Sequence, residues 1–358
     1  MKRIANLLIV IFTVILFTNL FSQEYSHPKS MVYDAARDRY LISNVQSGQV
    51  LALSNSNELT VFIDGQMAQP RGMLIVEDTL LVVDGSALVW FKLDDGSFIK
   101  DTVIEGASKL VDLTIDDEKY IYFTDIIEKK LFIYNLLDKS MLIYNFKQST
   151  WPNGIIYDKN KLYVTTYGDS AQIVVFDLSS WSETKYDYSN YKYFDGIVTD
   201  GNGTFYVACW EDMMSYDSVG KILKFSVEDI NNLTVFKTGL WGPSDIYFNP
   251  IKNEIAVPNY TGDTVSFIPL ATNVFDNQNE NDLFQVEHNK INNALKIRFK
   301  KNLTSNEYLY VYNIYGQLMQ KVQISLNQNE YNLNLNGYIQ GIYFIKIGNN
   351  ISKFLISN

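Results

Sequence analysis

Pro152-Asn153-Gly154-Ile155-Ile156-Tyr157-Asp158 is one copy of a phrase that recurs along the first three quarters of the chain. Its counterparts open as Pro28-Lys29-Ser30-Met31, Pro70-Arg71-Gly72-Met73, Leu110-Val111-Asp112-Leu113, Phe194-Asp195-Gly196-Ile197 and Pro243-Ser244-Asp245-Ile246, at spacings of 42, 40, 42, 42 and 49 residues. Six positions after the anchors stand Asp34, Val76, Asp116, Asp158, Asp200 and Asn249, so all but one copy places a turn-forming Asp or Asn there. Between anchors, period-two alternation rich in β-branched and aromatic residues marks short strands. The second strand of each unit, for example, is read at 40–43, 80–83, 120–124, 162–165 and 205–209. Units of about forty residues, each holding four short strands, are the signature of a β-propeller in which one unit is one blade. The expectation is an all-β chain with a closed six-bladed propeller over residues 23–270. The sixth unit supplies three strands before the sequence turns polar, so the last blade is expected to be irregular. The 25 Tyr and 21 Phe suit the wedges between blades.

Two segments flank this region. Lys2 and Arg3 precede an apolar run at 7–17 and small polar residues up to Ser22, the order of a secretory signal peptide over residues 1–22. The run is shorter than the roughly 20 residues that span a bilayer, so the mature protein is expected to lack a transmembrane segment. Cys209 is the only cysteine, which excludes an intramolecular disulfide and reads as a small buried hydrophobe. Residues 271–283 are an Asn/Asp-rich linker, and 284–358 carry alternating strands at 295–299, 308–312, 318–324, 331–335, 342–347 and 352–356 that read as a small β-sandwich. Such a linker predicts few contacts between the two domains. Val311-Tyr312-Asn313-Ile314-Tyr315-Gly316-Gln317-Leu318, Gly341-Ile342-Tyr343-Phe344-Ile345-Lys346-Ile347 and the terminal Lys353-Phe354-Leu355-Ile356 resemble the C-terminal sorting domain of type IX secretion substrates. That resemblance implies a Bacteroidetes-type protein whose partner is the type IX machinery. It would travel through the periplasm to the outer surface or the medium, with the sorting domain usually removed.

The formal charge of −10 is unevenly spread. Lys2 and Arg3, three acids in the linker, and eight Lys/Arg against three Asp/Glu beyond residue 283 leave −14 on residues 23–270. A propeller with that balance will not track nucleic-acid phosphates. It suits cations, neutral sugars or basic partners.

In a propeller, the loop entering each inner strand and the loop after each second strand open on one face around the central channel. The residues after the anchors therefore form a ring of Lys29, Arg71, Val111, Asn153, Asp195 and Ser244, with Asp112 and Asp245 beside it. Tyr167 and the loop carrying Trp210, Glu211 and Asp212 are expected on the same face. Oxygen donors converging there suit Ca²⁺ or another divalent cation, with Asn153, Asp195 and Asp245 as ligands. Pro152-Asn153-Gly154-Ile155 with Leu162-Tyr163-Val164, and Phe194-Asp195-Gly196-Ile197 with Phe205-Tyr206-Val207-Ala208, resemble the senescence marker protein and gluconolactonase family of six-bladed propellers. The resemblance implies that Asn153 and Asp195 are metal ligands and that Asp195 doubles as acid/base. The family's first-blade Glu ligand aligns with Lys29, however, and its third-blade Asn with Val111. With His27 and His288 the only histidines, a histidine-rich metal site is excluded. No phosphate-binding glycine loop or other organic cofactor signature occurs. Two functions remain: a propeller binding a small molecule, glycan or peptide at its channel mouth, and a metal-dependent lactonase or esterase with Asp195 catalytic.

Overall fold

A computed structural model describes residues 24–270 except 148–150 and 213–216, and residues 283–356 except 290–293, 302, 304–305, 314–315, 327, 336–337, 339–340 and 349. The signal peptide expected over 1–22, and 271–282 of the linker, lie outside the described residues. Five four-stranded antiparallel sheets follow one another over 28–63, 70–103, 110–145, 152–188 and 194–240, and a sixth of three strands covers 247–269. Within each the strands lie side by side in chain order. The inner strands Pro28–Asp34, Pro70–Val76, Leu110–Ile115, Pro152–Asp158 and Phe194–Thr199 succeed one another around an axis. The ring closes where Ser30 bridges to Asp245 and the Asp245 amide donates to the Lys29 carbonyl at 2.9 Å.

Alternation explains the packing. One side of each blade meets the opposite side of the next, so both faces of most strands are apolar and buried. Leu131, Ile133, Leu162, Val164 and Phe176, for instance, fill the wedge between blades three and four. Phe91, Phe123, Phe132, Phe176, Phe194 and Phe205 are wholly buried, and each contributes on the order of 1.5–3 kcal/mol by leaving water.

The anchors acquire their purpose from a repeated backbone irregularity. In blades one, two, four and five the ladder between inner and second strand shifts register between Pro28 and Met31, Pro70 and Met73, Pro152 and Ile155, and Phe194 and Ile197. A bulge re-aims the side chains it carries, and here the re-aimed residue follows the anchor. Hydroxyls of the second strands service the freed backbone groups: the Ser30 amide donates to Ser43 Oγ at 2.9 Å, and the Thr124 and Thr165 hydroxyls donate to the carbonyls of Asn153 and Asp195. The next residue must be small, because a Cβ on Gly154 would stand 2.4 Å from the Asp195 carbonyl oxygen and one on Gly196 2.5 Å from the Ile246 nitrogen. These glycines allow neighbouring inner strands to approach; neither is at positive φ. The entry loops are tied down from the ends of the second strands, where Asn44, Asp84 and Asp125 side chains accept from the amides of Ser26, Ala68 and Gln69, and Ser108 and Lys109.

Blade six departs from the pattern. Residues 243–246 make only isolated bridges, and the first regular strand is the short Tyr247–Asn249, followed by Glu254–Asn259 and Thr264–Pro269. No fourth strand joins this sheet among the described residues.

The C-terminal domain is a sandwich. Leu318–Ile324, Glu307–Asn313, Gly341–Ile347 and Asn350–Ile356 form one sheet in that order, and Phe284–Asn289, Ala294–Phe299 and Glu330–Asn334 the other. Leu295, Ile297, Leu309, Val311, Ile345 and Ile347 fill the space between them. The strand at 284–289 adds to those read from the sequence. The expectation of few contacts between domains is not met. Tyr312 and Phe344 are buried in one hydrophobic cluster with Met31, Tyr33, Tyr40 and Ala256 of the propeller, and Lys346 Nζ donates to Asn253 Oδ1 at 3.3 Å. The reason is the two-residue period. The strands that send Val311 and Ile345 into the sandwich present Tyr310, Tyr312, Phe344 and Lys346 on the other side. No helix among the described residues is long and apolar enough to cross a membrane.

Candidate functional site

Lys29, Arg71, Val111, Asn153, Asp195 and Ser244, one from each blade, all line a cavity of 280 Å³ at the channel mouth. In blades one, two, four and five the bulge puts the residue there. A second ring, the residues that directly follow the second strands, completes the wall with Ile126, Tyr167, Trp210 and Tyr260. Their amides are pinned to the entry loops: Ile126 donates to the Lys109 carbonyl at 3.2 Å, Tyr167 to Trp151 at 2.8 Å, Trp210 to Tyr193 at 3.2 Å and Tyr260 to Gly242 at 2.9 Å. Lys109, immediately before its anchor, also lines the cavity.

The wall has two unlike halves. Blades four to six contribute aromatic rings, with Trp210 against Tyr167 at a centroid distance of 5.9 Å and against Tyr260 at 5.7 Å. Blades one to three contribute Lys29, Arg71 and Lys109. Of these cations Lys29 is paired, its ammonium donating to Asp195 Oδ1 with both side chains 4% exposed. Asp195 Oδ2 accepts from Ser244 Oγ at 3.3 Å. The Arg71 guanidinium and the Lys109 ammonium have no hydrogen-bond or ion-pair partner among the described residues. Burial holds the Arg71 guanidinium below its ordinary pKa. Burial first, then the charges of Arg71 and Lys29, lower that of Lys109. Two polar atoms are also unspent: Asn153 Oδ1 and Trp210 Nε1 are buried without a partner, while Asn153 Nδ2 donates to the Phe194 carbonyl at 3.4 Å.

Asp112 and Asp245 lie off the cavity wall and are buried. The Asp112 carboxyl accepts from the amides of Leu113 and Ile155, each at 2.8 Å, and so stitches blade three to blade four. The two carboxyls lie close enough for their charges to act on one another. Burial, then the Asp245 charge, raises the pKa of Asp112; burial raises that of Asp245 against the pull of Lys29. Glu211, at φ 68°, turns aside to Lys221 at 2.8 Å and does not line the cavity. Asp212 stands among the charges felt by Tyr167 and Tyr193, also off the wall. Cys209 is buried and its thiol is pushed up to about 12, so it is inert.

The donors do not suit a divalent cation. Of the three residues read as metal ligands, Asn153 and Asp195 share the wall but Asp245 does not. Asp195, the one carboxylate on that wall, already carries the Lys29 ammonium. Among the described residues no three His, Cys, Asp or Glu side chains cluster as a metal site. A cation there would meet the Lys29 ammonium together with a carboxylate whose charge that ammonium already offsets, so little net attraction remains.

Residues 289–357 match the family model of the secretion system C-terminal sorting domain. The chain therefore carries the address of a type IX substrate bound for the cell surface. No curated protein matches the sequence. Among solved structures the chain resembles XC5397 from Xanthomonas campestris, a gluconolactonase, at 15% identity and a TM-score of 0.56, over 69% of this chain and 87% of that one. It also resembles a luciferin-regenerating enzyme at 13% identity and 0.54, over 68% and 91%, and a streptogramin B lyase at 13% and 0.51, over 78% and 92%. At these identities the likeness establishes the propeller fold and nothing of the chemistry.

Proposed function

We propose that this exported propeller is a binding protein whose channel mouth takes a carboxylate-bearing ligand of monosaccharide size, such as a uronic acid, without a metal. The carrying observation is Arg71, a partly buried guanidinium facing the cavity with no acidic partner among the described residues. A guanidinium so placed is preorganised for a carboxylate. Lys109 adds a second positive charge beside it. The aromatic half, Tyr167, Trp210 and Tyr260, offers ring faces to the C–H face of a sugar.

Hydrolysis fits less well. A general base must be free to take a proton from water, whereas both Asp195 oxygens are engaged, one by Lys29 and one by Ser244. Calorimetry with glucuronate or galacturonate against glucose or galactose tests the reading. The acids should bind and the neutral sugars should not, and Arg71→Gln should weaken the acids roughly 10- to 100-fold, the worth of a charged hydrogen bond. Equal binding of the neutral sugars, or an unaffected Arg71→Gln variant, would remove the carboxylate from the argument.

A further inference from the structure

We propose that the sorting domain doubles as the clasp of the propeller, holding shut the seam where the last blade meets the first. The surface it covers is not spread over the ring. The hydrophobic cluster that Tyr312 and Phe344 join holds Met31, Tyr33 and Tyr40 of blade one together with Tyr247, Ile251 and Ala256 of blade six. Those two blades meet at the only junction whose members are not consecutive in sequence, and this junction includes the three-stranded sheet. Across the seam the Tyr40 hydroxyl donates to Glu254 at 2.9 Å and accepts from Asn249 at 2.7 Å, while Tyr40 packs on Phe267 at 5.0 Å.

The sorting domain presents a matching face. Tyr312 and Phe344 are direct cross-strand partners, as are Tyr310 and Lys346, with Ile351 opposite Lys346 on the next strand. All five belong to or flank the cluster that covers the seam, whereas Val311, Tyr343 and Ile345 face the sandwich. Because Lys346 reaches Asn253 and a Cβ on Gly316 would stand 3.0 Å from Pro250, the domain also grips the first turn of blade six. An open ring would separate the two halves of this footprint. The clasp thus forms only on a closed propeller, and the export address is docked where the fold is completed.

Hydrogen exchange on the full chain provides the test, read in peptides from 28–42 and 247–259 against peptides from 110–135. In Tyr312→Ser/Phe344→Ser, seam peptides should exchange at least tenfold faster while blade three is unchanged. Tyr308→Ser, an exposed tyrosine on the same strand, should behave as wild type. Unchanged seam exchange in the double variant overturns the proposal. Should that variant also lose protection at 307–324, the wild type cut within 271–282 decides. Faster seam exchange once the released domain is separated supports the clasp, and unaltered exchange refutes it.

Discussion

Lys29 decides the chemistry of the mouth, because its ammonium neutralises Asp195 from inside the protein. Calcium should leave the melting temperature of the wild type unchanged. Lys29→Glu, which turns the same position into an oxygen donor beside Asn153 and Asp195, should make melting rise with calcium by mass action. Adding Asp195→Asn should cancel that response, and thermal scans at millimolar calcium check all three proteins. The Asp112–Asp245 pair makes a separate prediction. Both carboxyls hold protons more tightly in the folded state than in the unfolded chain, where they titrate near 3.9. Their contribution to stability is therefore complete below that value and is lost as pH rises through the raised folded values. Asp245→Asn keeps a neutral group at all pH. In urea unfolding, its stability relative to wild type should be greater at pH 7.5 than at pH 4.5, and an equal difference at the two would refute the assignment. The ring of first positions was legible in the sequence because each residue sits one step from a repeated anchor. That Asp195 would be ion-paired was not, since Lys29 lies 166 residues away.

At the scale of the strand, the repeated phrase encodes a bulge followed by a close approach. Ala in place of Gly154 must displace the Asp195 carbonyl, an overpacking that costs about 1–3 kcal/mol. For a domain of this size that lowers the melting temperature by about 2–4 °C per kcal/mol. Gly168→Ala, with open space around it and no positive φ, should melt like the wild type. The local sequence does not reveal this, because the demand comes from the neighbouring blade and not from the local chain. The second ring shows the same limit. Ile126 and Tyr260 occupy the offset that put Tyr167 and Trp210 on the mouth, so the repeat carried the signal once the strand ends were known. Lys109 had no such signal, since its role depends on the Asp125 cap that orders the loop before Leu110.

Over the whole molecule, period and composition revealed six blades and an irregular last blade, and the resemblance of three C-terminal motifs a sorting domain. They left the docking of that domain unseen, because alternating strands look alike whether the second face meets water or a neighbour. Deleting residues 341–358 should hold the protein in the periplasm, as blotting of cell fractions would record. The retained protein should also melt earlier than the full chain, since Phe344 leaves with the deletion. Secretion of the truncated form into the medium would contradict the assigned address. The arrangement of the blades carries one more consequence. Among the described residues every blade is written by one uninterrupted stretch of sequence, and none borrows a strand from another part of the chain. The gene is thus a string of self-contained modules. A circular permutant opened between blades three and four would break no ladder, and it would move the weak point of the ring away from the domain that now guards it.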